Sequence, residues 1–263
     1  MVVADGVGGW RNKGIDPSLF PYRLLEKVIG ASIKSDETKP RNLLDEGYSN
    51  LRADPVRTIG SCTVLMGKFD AYKHTVDTAQ LGDSVYAILR RRDKEQGQYS
   101  VIYQSPEQQH YFNCPHQLGI RDDEETLKKK SRWTAPSDAI EREHSLLPGD
   151  IVVLSTDGFS DNVETSELAD ITNAWAVKSQ SVGEKNAGKL AAMLVNGAAN
   201  FSLDKSKLTP FSRRSTEDGK PRQGGKMDDI TVAVVMVNGS SISTSTSNSI
   251  GDSESVSPIK SKL

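Results

Sequence analysis

Cysteine is scarce in this chain. Cys62 and Cys114 are the only two among 263 residues, too few for a disulfide scaffold or a cysteine-built zinc cluster, and so small a thiol content fits a reducing compartment. Long apolar runs are missing: none approaches the roughly 20 residues that a membrane-spanning helix requires. An excess of one charge is missing too. Lys plus Arg number 33 against 35 Asp plus Glu, a net charge of −2, which gives no support to wrapping nucleic acid or coating an anionic membrane. With no signal or transit segment read at Met1-Val2-Val3, the sequence is expected to carry no address of its own, and no internal repeat is evident. Hydrophobic content is low at 36%, but a Ser-rich C-terminal stretch dilutes it, and the length suits one large domain or two small ones.

The first residues, Val2-Val3-Ala4, read as a short strand breaking into a glycine turn at Asp5-Gly6-Val7-Gly8-Gly9. After the cap-like Asp16-Pro17, Phe20, Leu24, Leu25, Val28 and Ile29 recur at helical spacing, and Leu43, Leu44, Gly47 and Leu51 suggest a second helix. From Gly60 the texture becomes β-rich. Runs at Cys62–Met66, His74–Leu81, Ser84–Leu89 and Tyr99–Tyr103, punctuated by Gly67, Gly82-Asp83 and Gly97, predict an antiparallel meander. Asp122–Arg132 is highly charged and reads as a solvated excursion. A turn at Leu147-Pro148-Gly149-Asp150 launches Ile151–Thr156, an apolar run fit for a buried central strand. Two helices follow, the second with a stripe of Ala187, Leu190, Ala191, Leu194 and Ala198. Leu203–Lys226 is polar and basic and reads as a long loop. Ile230–Val237 is the last strand, and the residues from Asn238 onward, rich in Ser and Thr, read as a disordered tail.

Aspartates recur where apolar strands begin or end. Val2-Val3-Ala4 runs into Asp5-Gly6, Ile151–Thr156 runs into Asp157-Gly158, and Asp228-Asp229 stands immediately before Ile230-Thr231-Val232. Hard divalent cations such as Mg²⁺ and Mn²⁺ select carboxylate, carbonyl and water oxygens. Strand ends hold carboxylates rigidly, and a following glycine lets its backbone approach closely. An isolated Asp-Gly is, however, more often a turn than a ligand. Against the turn reading stand the extra glycines after Asp5 and the like-charge pair Asp228-Asp229, which needs compensation beside a strand.

With Gln80-Leu81-Gly82-Asp83-Ser84, Ser155-Thr156-Asp157-Gly158-Phe159-Ser160-Asp161-Asn162 and Gly225-Lys226-Met227-Asp228-Asp229-Ile230-Thr231-Val232 following Asp5-Gly6-Val7-Gly8-Gly9-Trp10 in order, the chain resembles the metal-dependent protein phosphatases of type 2C. It is most similar to their mitochondrial branch, and the resemblance runs from Val2 to about Val237. It implies an α+β fold: a central β-sandwich of two antiparallel sheets flanked by helices in α-β-β-α layers. Residues 1–237 would form the catalytic domain and 238–263 the tail. It further implies two Mn²⁺ or Mg²⁺ ions, with Asp5 bridging them, Gly6 lending its carbonyl, and Asp157 and Asp228 completing one shell. These carboxylates would act through a metal-activated water that attacks phosphoserine or phosphothreonine in line, with no covalent intermediate. Asp83 matches a position that holds a weaker third ion in some relatives, with a plain hairpin turn as the even alternative. Asp229 stands where many relatives have Asn, which suits a supporting role. The implied partners are phosphoprotein substrates, with no nucleic acid and no membrane span. A monomer is expected, mitochondrial by resemblance and otherwise cytoplasmic.

The chain departs from the family pattern in two places. Val7 replaces a histidine that many members carry as proton donor; His110 and His116 are substitutes or, more simply, solvated surface residues. Members also carry a strand upstream of Ala4-Asp5-Gly6, so the sequence reads as N-terminally truncated, with an unpaired sheet edge. Gln98–Gln104 is a segment that would cover that edge. Arg11 and Arg57 are either phosphate contacts or surface arginines, and Cys62 and Cys114 read as packing residues. The competing functional readings are a phosphatase-like binding module that has lost turnover and a metal-stabilised structural domain.

Overall fold

Two faces of apolar side chains per strand require two covers, and the chain supplies them. In the computed structural model, which describes residues 1–34, 39–92, 97–121, 134–181 and 186–238, two antiparallel sheets pack face to face with helices on both outer sides. The first sheet contains β1 (Val2–Gly6), β2 (Gly60–Asp70), β3 (Thr75–Leu81) and β9 (Ile140–Ser145) in the order β1-β2-β3-β9. β8 (Leu118–Ile120) takes up β2 over Gly60–Cys62, beyond the end of β3. The second sheet contains β4 (Val85–Arg91), β5 (Tyr99–Gln104), β10 (Ile151–Ser155) and β11 (Val232–Met236) in the order β11-β10-β4-β5. A small hairpin pairs β6 (Gln109–Tyr111) with β7 (Cys114–Pro115).

Period-two alternation sorts the side chains into three apolar seams. Between the sheets lie Val3, Leu65, Val76, Tyr86, Ile88, Val152 and Leu154. Their sequence neighbours point the other way. Val64, Met66 and Leu81 meet Phe20, Leu24, Val28, Leu44 and Leu51 from α1 (Leu19–Lys34) and α2 (Pro40–Arg52). Ala87, Leu89, Ile151 and Val153 meet Leu168 and Trp175 from α3 (Thr165–Ser181) and Leu190, Leu194 and Ala198 from α4 (Ala187–Leu203). This is the expected α-β-β-α layering, and the predicted stripe on α4 is its buried face.

Four expectations are corrected. The β-rich runs from Cys62 to Tyr103 do not form one meander, because β2 and β3 belong to one sheet and β4 and β5 to the other. The chain changes sheets at Gly82, whose φ is 108° and where a Cβ would stand 2.6 Å from the Thr63 side chain, a position only glycine fills without strain. The loop expected over Leu203–Lys226 contains α5 (Pro210–Glu217). Thr209 and Ser212 cap its first turn reciprocally and Pro210 opens it, while Phe211, Ser212 and Ser215 turn inward. The last strand is shorter than Ile230–Val237 and is a half-buried sheet edge. Within the described residues β1 pairs with β2 alone. Gln98–Gln104 does not cover its outer side, because β5 pairs with β4 in the other sheet. The expected excursion at Asp122–Arg132 and the tail beyond Asn238 lie outside the described residues.

Candidate active site

Strand register gathers the aspartates at one end of the sandwich. Asp5 sits opposite Thr63 at the end of β1, and β3, paired to β2 through Val64 and Leu81, ends at the same level. Ser155, last in β10, faces both Val85 at the start of β4 and Val232 at the start of β11. Asp83 in the β3–β4 crossover, Asp157 just past β10 and Asp228 just before β11 therefore converge. Asp5 shares the parity of Val3, so its side chain falls on the inter-sheet side. Gly6 runs against the next loop, where a Cβ would lie 2.1 Å from the Pro17 carbonyl oxygen.

The β10 end and the segment before β11 are zipped together. Thr156 N–H donates to the Thr231 carbonyl, the Thr231 N–H donates to Thr156 Oγ1, and that hydroxyl donates to the Asp229 carbonyl. Asp157–Ser160 forms one helical turn. Gly158 faces Asp229 so closely that a Cβ would stand 2.3 Å from its carbonyl oxygen and 3.3 Å from Asp228 Cβ. Gly158→Ala is therefore expected to push Asp228 away from Asp157 and lower the melting temperature, because the blocking atom belongs to the backbone. A melt equal to that of the wild type would show the two segments to be only loosely joined. Asn162 completes the clasp: its Nδ2 donates to the carbonyls of Gly158 and Lys226, and the Lys226 N–H donates to its Oδ1.

The electrostatics match crowded carboxylates. Burial pushes Asp5 up to about 8, helped by the charge of Asp157, a hydrogen bond with that residue, and the charges of Asp228 and Asp83. Burial likewise pushes Asp83 up to about 8, with Asp157, Glu107 and Asp161 adding to it. Glu107 and Asp83 are linked through Gln109, whose Nε2 lies 2.9 Å from Glu107 Oε2 and 3.4 Å from Asp83 Oδ2. Asp161 is raised to about 7 by burial and Asp157, against the pull of Lys226 and Arg214.

Not every expected residue turns inward. Asp229 contributes its carbonyl to the clasp, but its carboxylate is 88% exposed and lies 4.0 Å from Arg11. Arg11 thus faces outward, and Arg57 lines a separate cavity of about 540 Å³ with Tyr48, Arg52 and Arg121. His110 and His116 stack with ring centroids 4.3 Å apart beside the β6–β7 hairpin. Cys62 is fully buried, its thiol pushed up by burial, as a packing residue should be. Cys114 is half-buried beside Tyr111.

Some residues at this end had no role assigned from sequence. Asp161 follows Asp157 by one helical turn, a spacing that places both on one face. Lys226 reaches Asp157, Asp161 and Asp228 with its ammonium. Arg214 on α5 bridges Asp161 and Glu107. Among the described residues no trio of carboxylate, imidazole or thiolate side chains forms a ready cation cage; Lys226 stands among the acids instead. The donors brought together are nonetheless all oxygens, as Mg²⁺ or Mn²⁺ requires.

No family model matches the chain, but individual relatives do. Protein phosphatase PTC7 homolog fig of Drosophila simulans is 35% identical over 240 residues, covering 90% of this chain and 72% of that protein. The 5-azacytidine resistance protein azr1 of Schizosaccharomyces pombe is 33% identical over 242 residues, covering 89% and 76%. Among solved structures, the photosystem II phosphatase PBCP superposes with a TM-score of 0.73 at 26% identity, over 90% of this chain and 86% of that one. The catalytic domain of the serine/threonine phosphatase PstP, solved with two manganese ions, superposes at 0.50 and 15% identity over the same shares, a likeness of fold alone. With the layered sandwich and the convergent strand-end aspartates, these likenesses lead to one assignment: the chain belongs to the type 2C family of metal-dependent serine/threonine protein phosphatases.

Proposed function

We propose that this phosphatase works at the acidic end of the sandwich, with Asp5, Asp157, Asp228 and the Gly6 carbonyl holding a pair of Mn²⁺ or Mg²⁺ ions. The observation that carries this reading is the convergence of Asp5, Asp157 and Asp228 from β1, β10 and the lead-in to β11, where burial first, and then the charges of Asp157 and Asp228, raise Asp5 to about 8. Carboxylates so crowded need positive charge to ionise together. Divalent ions held by these residues would lower the pKa of water at the site and so supply a nucleophile toward phosphorus near neutral pH.

The chain's own residues do the rest. Thr156 and Asn162 hold the Asp157 turn and the Asp228 segment at fixed separation, so the carboxylates need no rearrangement to act together. Asp83 faces the same cluster across the β3–β4 crossover and is the candidate for a weaker, additional ion. Asp229 supports through its backbone. Val7 leaves no imidazole beside Asp5-Gly6, and protonation of the departing serine or threonine falls to water.

Chelator treatment is expected to abolish hydrolysis of a phosphothreonine peptide by the full chain, and Mn²⁺ or Mg²⁺ to restore it. Titrating each ion separately decides the preference. Turnover that survives exhaustive chelation would remove the metal reading. We place the enzyme in the mitochondrion, on its resemblance to that branch, as a monomer; fractionation of cells expressing the complete gene product, and sedimentation, test each point. Among the described residues no helix is long and apolar enough to cross a membrane.

A further inference from the structure

Lys226 is held at both ends. Its backbone is clasped by Asn162, through Lys226 N–H to Oδ1 at 2.9 Å and Nδ2 to the Lys226 carbonyl at 2.8 Å. Its ammonium lies 2.6 Å from Asp161 Oδ2, 2.7 Å from Asp157 Oδ2 and 3.0 Å from Asp228 Oδ2. It also sits 5.0 Å from the centre of the Phe211 ring, and the side chain is only 14% exposed. Surface lysines pay side-chain entropy to hold a single partner and gain little; this one is fixed among three carboxylates in a sheltered site.

Two of its partners, Asp157 and Asp228, are the carboxylates assigned above to a metal ion. The third, Asp161, is not, and it is independently braced by Arg214. An ammonium and a divalent cation cannot both take the same carboxylate lone pairs. We propose that Lys226 is a resident counter-cation that competes with the divalent ion for Asp157 and Asp228. It weakens the affinity of the site for metal and keeps the acidic segments together when metal is scarce. Its bond to Asp161 is the one that survives ion binding, so the lysine yields two carboxylates without leaving the site. This inference rests on the metal-site reading.

The test is calorimetric titration of Mn²⁺ into the chelator-treated full chain, beside melting curves with and without Mn²⁺, for the wild type, Lys226→Met and Lys226→Arg. Removing a positive charge from beside the ion is expected to tighten Mn²⁺ binding in Lys226→Met by about tenfold or more. Lys226→Arg keeps the charge and should stay near the wild-type affinity. In chelator Lys226→Met should melt below the wild type, and its gain in melting temperature on adding Mn²⁺ should be the larger. A variant folded only with Mn²⁺ is the same outcome in its extreme form. Equal or weaker Mn²⁺ binding by Lys226→Met overturns the inference, as does an unchanged melt in chelator. A Lys226→Met chain that Mn²⁺ cannot fold also overturns it, since the lysine would then be a brace no ion replaces. If the wild type and both variants all fail to take up Mn²⁺, the metal-site reading itself falls, and this inference with it.

Discussion

Asp157→Asn is expected to lower metal-dependent turnover by about 100-fold or more, since removing even a group that supports a ligand costs 10–100-fold. The amide keeps the size of the carboxylate but loses its charge, and with it the attraction for a divalent ion. The fold should persist, because the Asp157–Ser160 turn keeps its ties through Thr156 and Asn162 when the pair of Asp157 with Lys226 is weakened. Asp229→Asn is the matched control. Its carboxylate points into solvent beside Arg11, so its removal should leave turnover within about twofold, as surface changes generally do. Phosphopeptide hydrolysis at saturating Mn²⁺ measures both. Near-wild-type turnover in Asp157→Asn would take that residue out of the site, and a large loss in Asp229→Asn would mean that its side chain turns inward during catalysis.

The second large effect is on stability and lies at the opposite end of β10. Asp150 is 1% exposed and accepts from Arg90 twice, Nε to Oδ1 at 2.8 Å and an Nη to Oδ2 at 2.6 Å. The same carboxylate accepts the Leu147 N–H at 2.7 Å, and the Asp150 carbonyl accepts the Val237 N–H at 2.9 Å. One residue thus ties the end of β4, the turn before β10 and the end of β11. Asp150→Ala takes the acceptor from the guanidinium and a backbone donor, a change that costs about 3 kcal/mol, the low end for buried pairs because the Arg90 side chain is 32% exposed. For a domain of this size that corresponds to a fall of roughly 6–12 °C in melting temperature. Calorimetry reads it directly. A fall under about 2 °C, less than 1 kcal/mol on the same scale, would mean that the freed Arg90 finds water at no cost.

How much of this was legible in the chain differs from element to element. Ile151–Ser155 announced itself as a buried strand because both of its faces are apolar, and the structure gives each face its own seam. The stripe on α4 was equally plain. The change of sheet at Gly82 was not, because β3 and β4 alternate identically whichever sheet receives them, and only the space around one glycine decides. Helix α5 was hidden by Arg213, Arg214 and Glu217; its sole signal was the Thr209-Pro210 start with Ser212. The convergence of Asp5, Asp157 and Asp228 was readable because strand ends announce themselves locally. The tie from Lys226 to Asp157 spans 69 residues and that from Arg214 to Glu107 spans 107. Such partnerships exist only once the sheets have closed.

The three seams also constrain how this sequence is free to drift. Exchanging one aliphatic residue for another of similar volume within a seam costs little, which suits a fold shared with PBCP at 26% identity. Length is another matter. A one-residue slip of β10 would send Val152 and Leu154 toward the helices and Ile151 and Val153 between the sheets. Both destinations are apolar, so the layers themselves would tolerate the exchange. Asp157 would not, since the same shift turns it out of the acidic end. If Asp157 holds a metal ion as proposed, the spacing from Ile151 to Asp157 is fixed by chemistry and not by packing, and across relatives it should admit substitution but no gap.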